Sequence, residues 1–349
     1  MATPTYLEVL NPEQREAVLH TGKPLLILAV TFTNKAAREM AERARLIDER
    51  AGDAMLRTFH SFGAWFLRRN GSLLGLNSGF VIYDDDDTIA LLATLMENSS
   101  RAEVKQIAHG IARAKDYFLS PEDPELDLIN HHKEFRPLYK RYEERLAQIG
   151  NVDFGDLIKK PVEILRAFPE VAGRFRDRFR VIMVDEYQDS NVAQFELLKE
   201  LCGPETYICV VGDDDQSIYR FRGAEVKNIL EFPDRFPGAD IVRLERNYRS
   251  TAPILQVASS VVDHNASRLG KTLRAERGTG KAPVLAFLPD QDAEASFCAE
   301  LIEKSVKGVG KSAAHGAAPK RALYSDWAMG FSISKKEGRR KRGHSSPGL

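Results

Sequence analysis

The sequence has few cysteines, no long apolar run and no overall excess of either charge. Its three cysteines, Cys202, Cys209 and Cys298, share no metal-ligand or redox spacing, which favours packed thiols over a disulfide or a zinc site. No apolar run approaches the roughly 18 residues that a membrane-spanning helix needs, and the amino terminus has no signal-peptide pattern. We therefore expect a cytoplasmic globular protein with no membrane partner.

Charge is distributed unevenly along the chain. Of 50 Lys and Arg residues and 50 Asp and Glu residues, ten and two lie from Ser305 onward, so the first 304 residues hold 40 basic and 48 acidic groups, a net charge of −8. A body this acidic does not attract nucleic acid by net charge. Any contact with DNA must use a local groove of basic and aromatic side chains.

An apolar run from Val181 to Val184 leads directly into Asp185 and Glu186. A continuous run of this kind predicts a buried parallel strand. Two acids at the carboxyl end of such a strand are a usual means of holding magnesium and activating a water beside a nucleotide. The alternative is a strand that ends in a solvated acidic turn.

The next predicted strand, residues 207–211, repeats this layout and continues as "GDDDQSIYRFRGA". Gln216 offers a neutral group that can sense a phosphate or a water. Aromatic and arginine residues then alternate from Tyr219 to Arg222, an arrangement that suits stacking on bases and contact with phosphates. A polar loop with two buried rings is the alternative.

Three stretches, "VDEYQDSN", "VVGDDDQSIYRFRGAE" and "RLERNYRSTAPIL", resemble motifs II, III and IV of the UvrD/Rep/PcrA group of superfamily 1 DNA helicases, in that order. Upstream, "LNPEQREAV" resembles the Q motif, "AVTFTNKAAREM" motif Ia and "TFHSFG" motif Ib. The resemblance covers about Leu10 to Lys304 and does not reach motifs V and VI. It implies an α/β fold, namely a RecA-like P-loop NTPase motor domain with a helical insertion and the start of a second RecA-like domain.

The same comparison predicts the domain boundaries. Residues 1–70 and 153–235 form the first RecA-like domain, 71–152 the helical insertion, 236–304 a partial second domain, and 305–349 a basic tail expected to be disordered. "YDDDDTIALLATLME" and "EFRPLYKRYEERLAQIG" predict helices in the insertion, with Asp84 to Asp87 as a helix cap rather than a metal site. "APVLAF" at residues 282–287 predicts a strand, followed by a helix that ends near Lys304.

The tail ends in a basic cluster, Lys335 to Arg342. It could touch nucleic acid electrostatically, or it could be out-of-frame translation that follows a truncation. We favour the second interpretation because the family resemblance vanishes abruptly.

A P-loop is missing from the place where the resemblance requires one. The predicted strand at residues 24–30 should run into a glycine-rich loop that ends in Lys and Ser or Thr, yet it continues directly into motif Ia. We infer an internal deletion after Ala29 that removed motif I, a helix and a connection; an omission from the sequence would leave the same junction. "SVKGVGKS" at residues 305–312 lacks the first glycine and follows a helical pattern, so we interpret it as a flexible linker.

The resemblance implies a catalytic role for four residues. Asp185 would hold magnesium through water, and Glu186 would act as general base on the attacking water. Gln216 would contact the γ-phosphate of ATP. Arg249 would reach across from the second domain as an arginine finger.

Two further residues would bind the adenine. Gln14 would read its edge through the side-chain amide, and Tyr248 would stack on it; the alternatives are a helix-surface Gln and a packed Tyr. Arg222 and Arg246 would be supporting cations, or ion-pair partners of nearby acids.

The resemblance also implies a track for single-stranded DNA, because aromatic rings stack on bases of any identity. Its residues come from motifs Ia, Ib and III: Phe32, Thr33, Asn34, Thr58, Phe59, His60, Tyr219 and Phe221. Phe221 replaces the commoner Trp, and His60 could instead be structural. In "VDFGDLI", Gly155 replaces the acid that the family usually has, which leaves a DNA contact and a structural role both open.

Two functions from different classes follow. By family, the chain would be an ATP-dependent, 3′-to-5′ translocating DNA helicase of repair or replication, with ATP and magnesium as cofactors. Without the P-loop we expect no ATPase and no unwinding, which leaves a single-stranded DNA-binding module or a non-functional fragment.

Overall fold

The computed structural model describes residues 7–28, 54–97, 99–217, 227–265 and 268–312. The chain divides into two compact units, Met1–Pro283 and Val284–Leu349. All strands of the described residues lie in the first unit. The described part of the second unit is an irregular segment followed by a helix.

The first unit is built on a parallel sheet with the strand order β4-β5-β1-β6. These strands are β1 (Leu25–Leu28), β4 (Val181–Val184), β5 (Tyr207–Gly212) and β6 (Asp240–Arg243). Cys209 of β5 lies opposite Leu25 on one side and Met183 on the other. Because the strands are parallel, their carboxyl ends meet at one edge of the sheet. The predicted α/β class is confirmed.

Two short parallel pairs lie outside this sheet. They are β2 (Ile82–Tyr83) with β3 (Val152–Asp153), and β7 (Arg246–Asn247) with β8 (Arg274–Ala275). The first pair joins the two ends of the helical insertion. The second connects the segment after β6 to residues that follow the next helix.

The helices of the first RecA-like domain lie before and after the insertion. They are α1 (Pro12–Leu19), α2 (Phe59–Asn70), α7 (Asp156–Ala167), α8 (Pro169–Arg178), α9 (Val192–Leu201), α10 (Lys227–Leu230) and α11 (Phe232–Arg235). The insertion contains α3 (Asp85–Leu95), α4 (Arg101–Asp116), α5 (Leu126–Ile129) and α6 (Phe135–Ile149). Further along are α12 (Ala252–Val262) and, in the second unit, α13 (Gln291–Ser312). No described helix is long and apolar enough to cross a bilayer.

Local signals in the sequence set several helix starts. Asn11 accepts a hydrogen bond from the backbone of Gln14 at the start of α1, and Pro12 occupies the first helical position. Asp84 caps α3 in the same way through the backbone of Asp87. The Asp84 to Asp87 run is therefore a helix cap, as predicted, since side-chain oxygens satisfy the free N–H groups of a first turn.

The insertion has a closed apolar core formed by α3, α4 and α6. Leu92, Ala114, Tyr139 and Tyr142 are completely buried in it. The apolar residues of α6 recur at helical spacing, so one face of this helix is buried while the other meets solvent. Both long helices predicted in this region are present.

The prediction for β4 is only half right. The strand is parallel to β5, but Val181 and Met183 are 58% and 69% exposed, so the strand is not buried. Ile182 and Val184 face the other way and contact the clusters beneath α7 and α9. The strands of a parallel sheet are usually covered on both faces, so the exposed face of β4 departs from the usual pattern.

The boundary predicted at residue 236 lies just before β6. β6 is hydrogen-bonded to β1, with Leu26 opposite Ile241, so the strand after motif III closes the first sheet instead of opening a second. The predicted strand at residues 282–287 is absent among the described residues, where this segment has no regular secondary structure and pairs with no strand. Strands need a neighbour for their backbone groups, and none of the described strands provides one.

The predicted carboxyl-terminal helix is present as α13, but it extends past Lys304 to Ser312. Residues 305–312 are therefore helical, which corrects both the linker interpretation and the predicted start of the disordered tail. Once a helix is nucleated, each added residue gains a hydrogen bond, so an existing helix continues through a segment of weak propensity. Residues 313–349, which include the Lys335 to Arg342 cluster, lie outside the described part of the chain.

Candidate functional site

The acids that follow β4 lie at the carboxyl edge of the sheet. Asp185 is exposed, and one of its carboxylate oxygens accepts a 3.0 Å hydrogen bond from the backbone N–H of Glu186. Glu186 has φ 52° and ψ 42°, the left-handed conformation. Such a conformation costs a non-glycine residue about 1–3 kcal/mol and is concentrated at functional sites. The turn therefore presents two carboxylates toward the edge where ligands bind in such sheets.

Gln188 links this turn to the end of β5. Its side-chain amide donates to Glu186 Oε2 at 2.8 Å and accepts from the backbone N–H of Asp213 at 3.0 Å. The link requires glycine at position 212, since a Cβ there would lie 2.7 Å from Gln188 Oε1. Glu186 is thereby positioned relative to motif III.

Burial and the charge of Glu186 raise the pKa of Asp189, the last acid of motif II, to about 6. One of its carboxylate oxygens is buried and has no hydrogen-bond partner. The three acids of "VDEYQD" therefore differ in environment, with Asp185 the most open to solvent.

Gln216 lies in a short 3₁₀ turn directly after β5, over Asp214–Gln216. Its side-chain nitrogen donates to Asp213 Oδ2 at 2.5 Å. Its amide thus faces the same strand end that Gln188 contacts. Structure and sequence agree that the ends of β4 and β5 present their polar groups side by side.

Two acidic clusters among the described residues have the spacing of a metal site: Asp213 with Asp214 and Asp215, and Glu143 with Asp153 and Asp156. A lysine ammonium occupies each of them, Lys271 in the first and Lys115 in the second. Asp185, the predicted magnesium residue, belongs to neither. Its exposed carboxylate is the ligand type that magnesium prefers.

The predicted adenine residues meet at Asn11. Gln14 Oε1 accepts from the backbone of Asn11 at 3.1 Å, and the Asn11 side-chain amide donates to the Tyr248 hydroxyl at 3.1 Å. The Tyr248 ring is exposed. Nearby, Arg246 lies 3.5 Å from Glu13 and 3.7 Å from Glu276. The Q motif and motif IV are thus adjacent, and Arg246 is an ion-pair partner of acids.

Arg249 lies on the loop after β7. The Asn247 side chain shapes this loop by accepting from the backbone of Arg249 at 3.0 Å and of Ser250 at 2.7 Å. The Arg249 carbonyl accepts from Arg277 at 3.0 Å. The Arg249 side chain is exposed on the surface of the first unit.

Motif Ib forms the start of α2. Thr58 is its N-cap and accepts from the backbone of Ser61. The Phe59 ring is partly buried and packs against two apolar clusters of the domain. Burial lowers the pKa of His60, which favours the neutral imidazole at pH 7. Its ring is 5.7 Å from that of Phe154 in an edge-to-face contact.

Phe154 is a candidate that the sequence analysis missed. Its ring is 53% exposed beside His60. It follows β3 in "VDFGDLI", and an aromatic residue between Asp153 and Gly155 at a strand end was the available signal. Gly155 is required next to it, because a Cβ there would lie 2.6 Å from Lys115 Cδ.

Comparison with known proteins identifies the family. Residues 13–237 match the model of the UvrD/REP helicase N-terminal domain, which is more than half of the chain. The chain belongs to the UvrD/REP helicase family. Residues 242–316 match the UvrD-like helicase C-terminal domain. The first match ends at residue 237, three residues before β6 begins at Asp240, and the second match begins within β6.

Individual UvrD-like relatives agree with the domain matches. The ATP-dependent DNA helicase UvrD1 of Mycobacterium tuberculosis (strain ATCC 25618 / H37Rv) is 38% identical, over 86% of this chain and 45% of that protein. The probable DNA helicase II homolog of Rickettsia felis is 38% identical, over 86% and 52%. The ATP-dependent DNA helicase PcrA of Staphylococcus epidermidis is 37% identical, over 80% and 39%. The chain spans about half the length of the curated relatives it matches.

Several predicted residues of this UvrD-like chain lie outside the described residues. They are Phe32, Thr33 and Asn34 of motif Ia, and Tyr219, Phe221 and Arg222 of motif III. The roles assigned to them therefore stay predictions.

The polar groups at the carboxyl edge of the sheet fit a bound ATP only in part. Asp185 and Glu186 have the chemistry and the position to hold magnesium and to activate a water. A UvrD-like motor also needs a backbone cradle and a lysine for the phosphates, directly after β1. The sequence after Leu28 reads "AVTFTNKAA" and supplies no glycine-rich loop, so no hydrolysis step can be derived through ATP.

Proposed function

We propose that this chain is a shortened copy of an ATP-dependent, 3′-to-5′ translocating DNA helicase, and that it binds single-stranded DNA without hydrolysing ATP. The observation that carries the proposal is the direct passage from β1 into motif Ia, with no P-loop between them. Catalysis of phosphoryl transfer is mostly positioning and charge stabilisation. A site without its phosphate cradle loses both.

The length of the alignment supports an internal loss. The match to the M. tuberculosis protein runs over 349 positions but covers 86% of this chain. Since 86% of 349 residues is about 300 residues, gaps in this chain account for about 49 aligned positions. A segment of that size would hold motif I, a helix and a connection.

Within this proposal, four residues keep the catalytic roles that they would have in an intact helicase of this family. Asp185 is the magnesium residue, Glu186 the general base, Gln216 the γ-phosphate sensor and Arg249 the arginine finger. Gln14 and Tyr248 remain the adenine residues, and their common contact with Asn11 supports this pairing.

The retained function is weak binding of single-stranded DNA. The exposed Phe154 ring lies beside the partly buried ring of His60, with Thr58 at the start of the same helix as His60. The partly buried Phe59 would not touch DNA but would support the start of α2. Stacking of one base on an aromatic ring contributes about 1–3 kcal/mol. We place this binding in the cytoplasm.

A non-functional fragment is the second candidate. The exposed Val181 and Met183 favour it, because an uncovered apolar strand at a sheet edge promotes aggregation. This candidate predicts a chain that neither binds DNA nor stays monomeric.

The first experiment is ATP turnover by the purified chain, with and without an oligothymidylate, beside the Glu186→Gln variant. We expect no turnover above that of the variant in either condition. A DNA-stimulated rate that Glu186→Gln abolishes would contradict the proposal and mean that the phosphates are held in another way.

The same samples measure DNA binding by fluorescence anisotropy. We expect Phe154→Ala to weaken binding roughly tenfold, the loss of about one stacked base. Leu128→Ala, at an exposed apolar side chain of the insertion, is the matched control and should bind like the parent chain. No binding by the parent chain would favour the fragment.

A further inference from the structure

The three consecutive acids after β5 are neutralised from within the chain. Lys271 Nζ lies 3.0 Å from Asp214 and 3.3 Å from Asp215, and it also contacts Asp213. The Lys271 side chain is 3% exposed. Carboxylate oxygens of the three acids lie within 4.8 Å of one another. The ammonium therefore occupies the position that a divalent cation would take in such a cluster.

The contact extends over the four residues 268–271. Arg268 binds Asp215 with two hydrogen bonds, of 2.8 and 2.9 Å. The backbone N–H of Leu269 donates to Asp214 Oδ2 at 2.8 Å. Every acid of the cluster thus has a partner in this segment, and a planar guanidinium on a carboxylate fixes the orientation of the two.

Asp213 connects this segment to Gln216. One of its carboxylate oxygens accepts from Lys271 and from the backbone of Asp215, and the other accepts from the Gln216 side chain. The amide of Gln216 is therefore oriented by a carboxylate that Lys271 holds in place.

The same segment connects to the loop that carries Arg249. After Lys271, the backbone N–H of Thr272 donates to Glu245 Oε1, and that of Arg274 donates to the Glu245 carbonyl, each at 2.8 Å. β8 then pairs with β7, with Arg246 opposite Arg274. Arg249 lies two residues after the end of β7. Residues 268–275 thus bridge the turn of Gln216 and the loop of Arg249.

Charge keeps the bridge closed. Burial alone would lower the pKa of Lys271, but its hydrogen bond to Asp213 and the charges of Asp213 and Asp214 outweigh this and raise it. For Asp215, the hydrogen bond to Arg268 and the charge of Lys271 lower the pKa although burial opposes them. Both shifts favour the charged forms of Lys271 and Asp215 at neutral pH.

We propose that Lys271 is a positioning residue, a built-in cation that ties the Gln216 turn to the Arg249 loop and keeps divalent metal out of the Asp213 cluster. A free metal ion could satisfy the three carboxylates, but it could not connect them to residues 268–275. Lys271 makes this connection because its ammonium group is covalently part of the segment 268–275.

The test is amide hydrogen exchange of the full chain as Lys271→Met, with and without magnesium. Without magnesium we expect exchange to rise at least tenfold both at residues 213–217 and at 245–250, because local opening becomes easier on both sides. Magnesium should restore protection at 213–217 alone. A rise on one side only, or restoration on both sides, would overturn the proposal.

Metal binding gives an independent readout that a merely structural lysine would not change. We expect Lys271→Met to bind Mn²⁺ at least tenfold more tightly than the parent chain, measured by loss of the free-ion electron paramagnetic resonance signal. Asp213→Asn in the same background should remove the gain, and Lys271→Arg should show none. Lys304→Met, at an exposed lysine of α13, is the control. Equal Mn²⁺ affinity of Lys271→Met and the parent chain would refute the built-in cation.

If Lys271→Met does not fold, Asp215→Asn weakens the contacts to both Lys271 and Arg268 and should raise exchange on both sides. Unchanged exchange in that variant would count against the bridge. Neither readout requires ATP or DNA, so the inference stands or fails apart from the proposed function.

Discussion

The helical insertion and the β4 edge of the sheet belong to the same unit, but their packing differs sharply. In the insertion, Leu92 and Tyr139 are completely buried by neighbouring helices. At β4, Val181 and Met183 face solvent although they belong to a parallel strand. The insertion obtains its core from helices that follow one another in the chain, between residues 85 and 149. A strand of a parallel sheet depends on cover from distant segments.

The helical insertion is joined to the sheet domain by a cluster of buried ion pairs. The insertion meets the sheet domain through Lys115, which lies 2.7 Å from Glu143, 2.7 Å from Asp153 and 2.8 Å from Asp156. Asp116 beside it accepts a 2.7 Å hydrogen bond from Asn191, the N-cap of α9 directly after motif II. The segment after motif II is therefore held by the insertion, whereas β4, the strand before motif II, is exposed at Val181 and Met183.

The largest effect should come from breaking the junction between the two regions with Lys115→Met. Removal of one partner from a buried ion cluster costs about 3–5 kcal/mol, because the remaining charges stay buried and unpaired. We expect a loss of this size in the free energy of unfolding, measured with urea. Lys105→Met, on the exposed face of the same helix, should change it by less than about 0.5 kcal/mol. Equal losses in the two variants would mean that the cluster does not hold the junction.

A direct comparison of packing uses Leu92→Ala and Met183→Ala. Truncation of a buried leucine costs about 2–5 kcal/mol, through lost burial and the cavity left behind. Met183 is mostly exposed, so its truncation should cost less than about 1 kcal/mol. Urea unfolding of the two variants measures the difference. Similar losses in the free energy of unfolding would show that Met183 is buried in solution, which would contradict the exposure of β4.

The smallest effect concerns pH. Burial and the charge of Asp153 raise the pKa of Asp116 to about 7, although the hydrogen bond from Asn191 opposes the shift. In the unfolded chain this carboxyl ionises near pH 4. The folded chain thus binds the extra proton between about pH 4 and pH 7, and its stability falls as pH rises through that window.

Asp116→Asn should abolish this fall, because the amide oxygen still accepts from Asn191 and carries no charge. A shift of about three pKa units corresponds to at most about 4 kcal/mol, and solvent screens part of it because Asp116 is only partly buried. We therefore expect the variant to be about 1–2 kcal/mol more stable than the parent chain at about pH 8, and nearly equal at about pH 4. Urea unfolding at both pH values measures the difference. A difference that does not vary with pH would rule out Asp116 as the titrating group.

Elements with strong local signals could be predicted from the sequence. The cap at Asp84, the amphipathic α6 and the strands before Asp185 and Asp213 all follow from residues within a few positions of one another. The partners of those elements could not be predicted in this way. β6 reads like the first strand of a new domain and instead pairs with β1, because strand pairing depends on segments far apart in the chain.

The candidate site shows the same contrast between residues found from local sequence and contacts found only in the structure. Motif spacing indicated Glu186 and Gln216, but not the Gln188 contact that connects their two strand ends. Lys271 has no motif of its own in the sequence, and it is identified only by its three carboxylate contacts. Phe154 was overlooked because exposure is a property of the folded chain.

The family, the order of the motifs and the lack of a glycine-rich loop directly after Leu28 could be read from the sequence alone, since these depend only on which residues follow which. Tertiary structure alone decided that β4 is uncovered, that β6 closes the first sheet and that lysines fill both acidic clusters. Each of these depends on contacts between residues separated by tens or hundreds of positions, which local propensity does not encode.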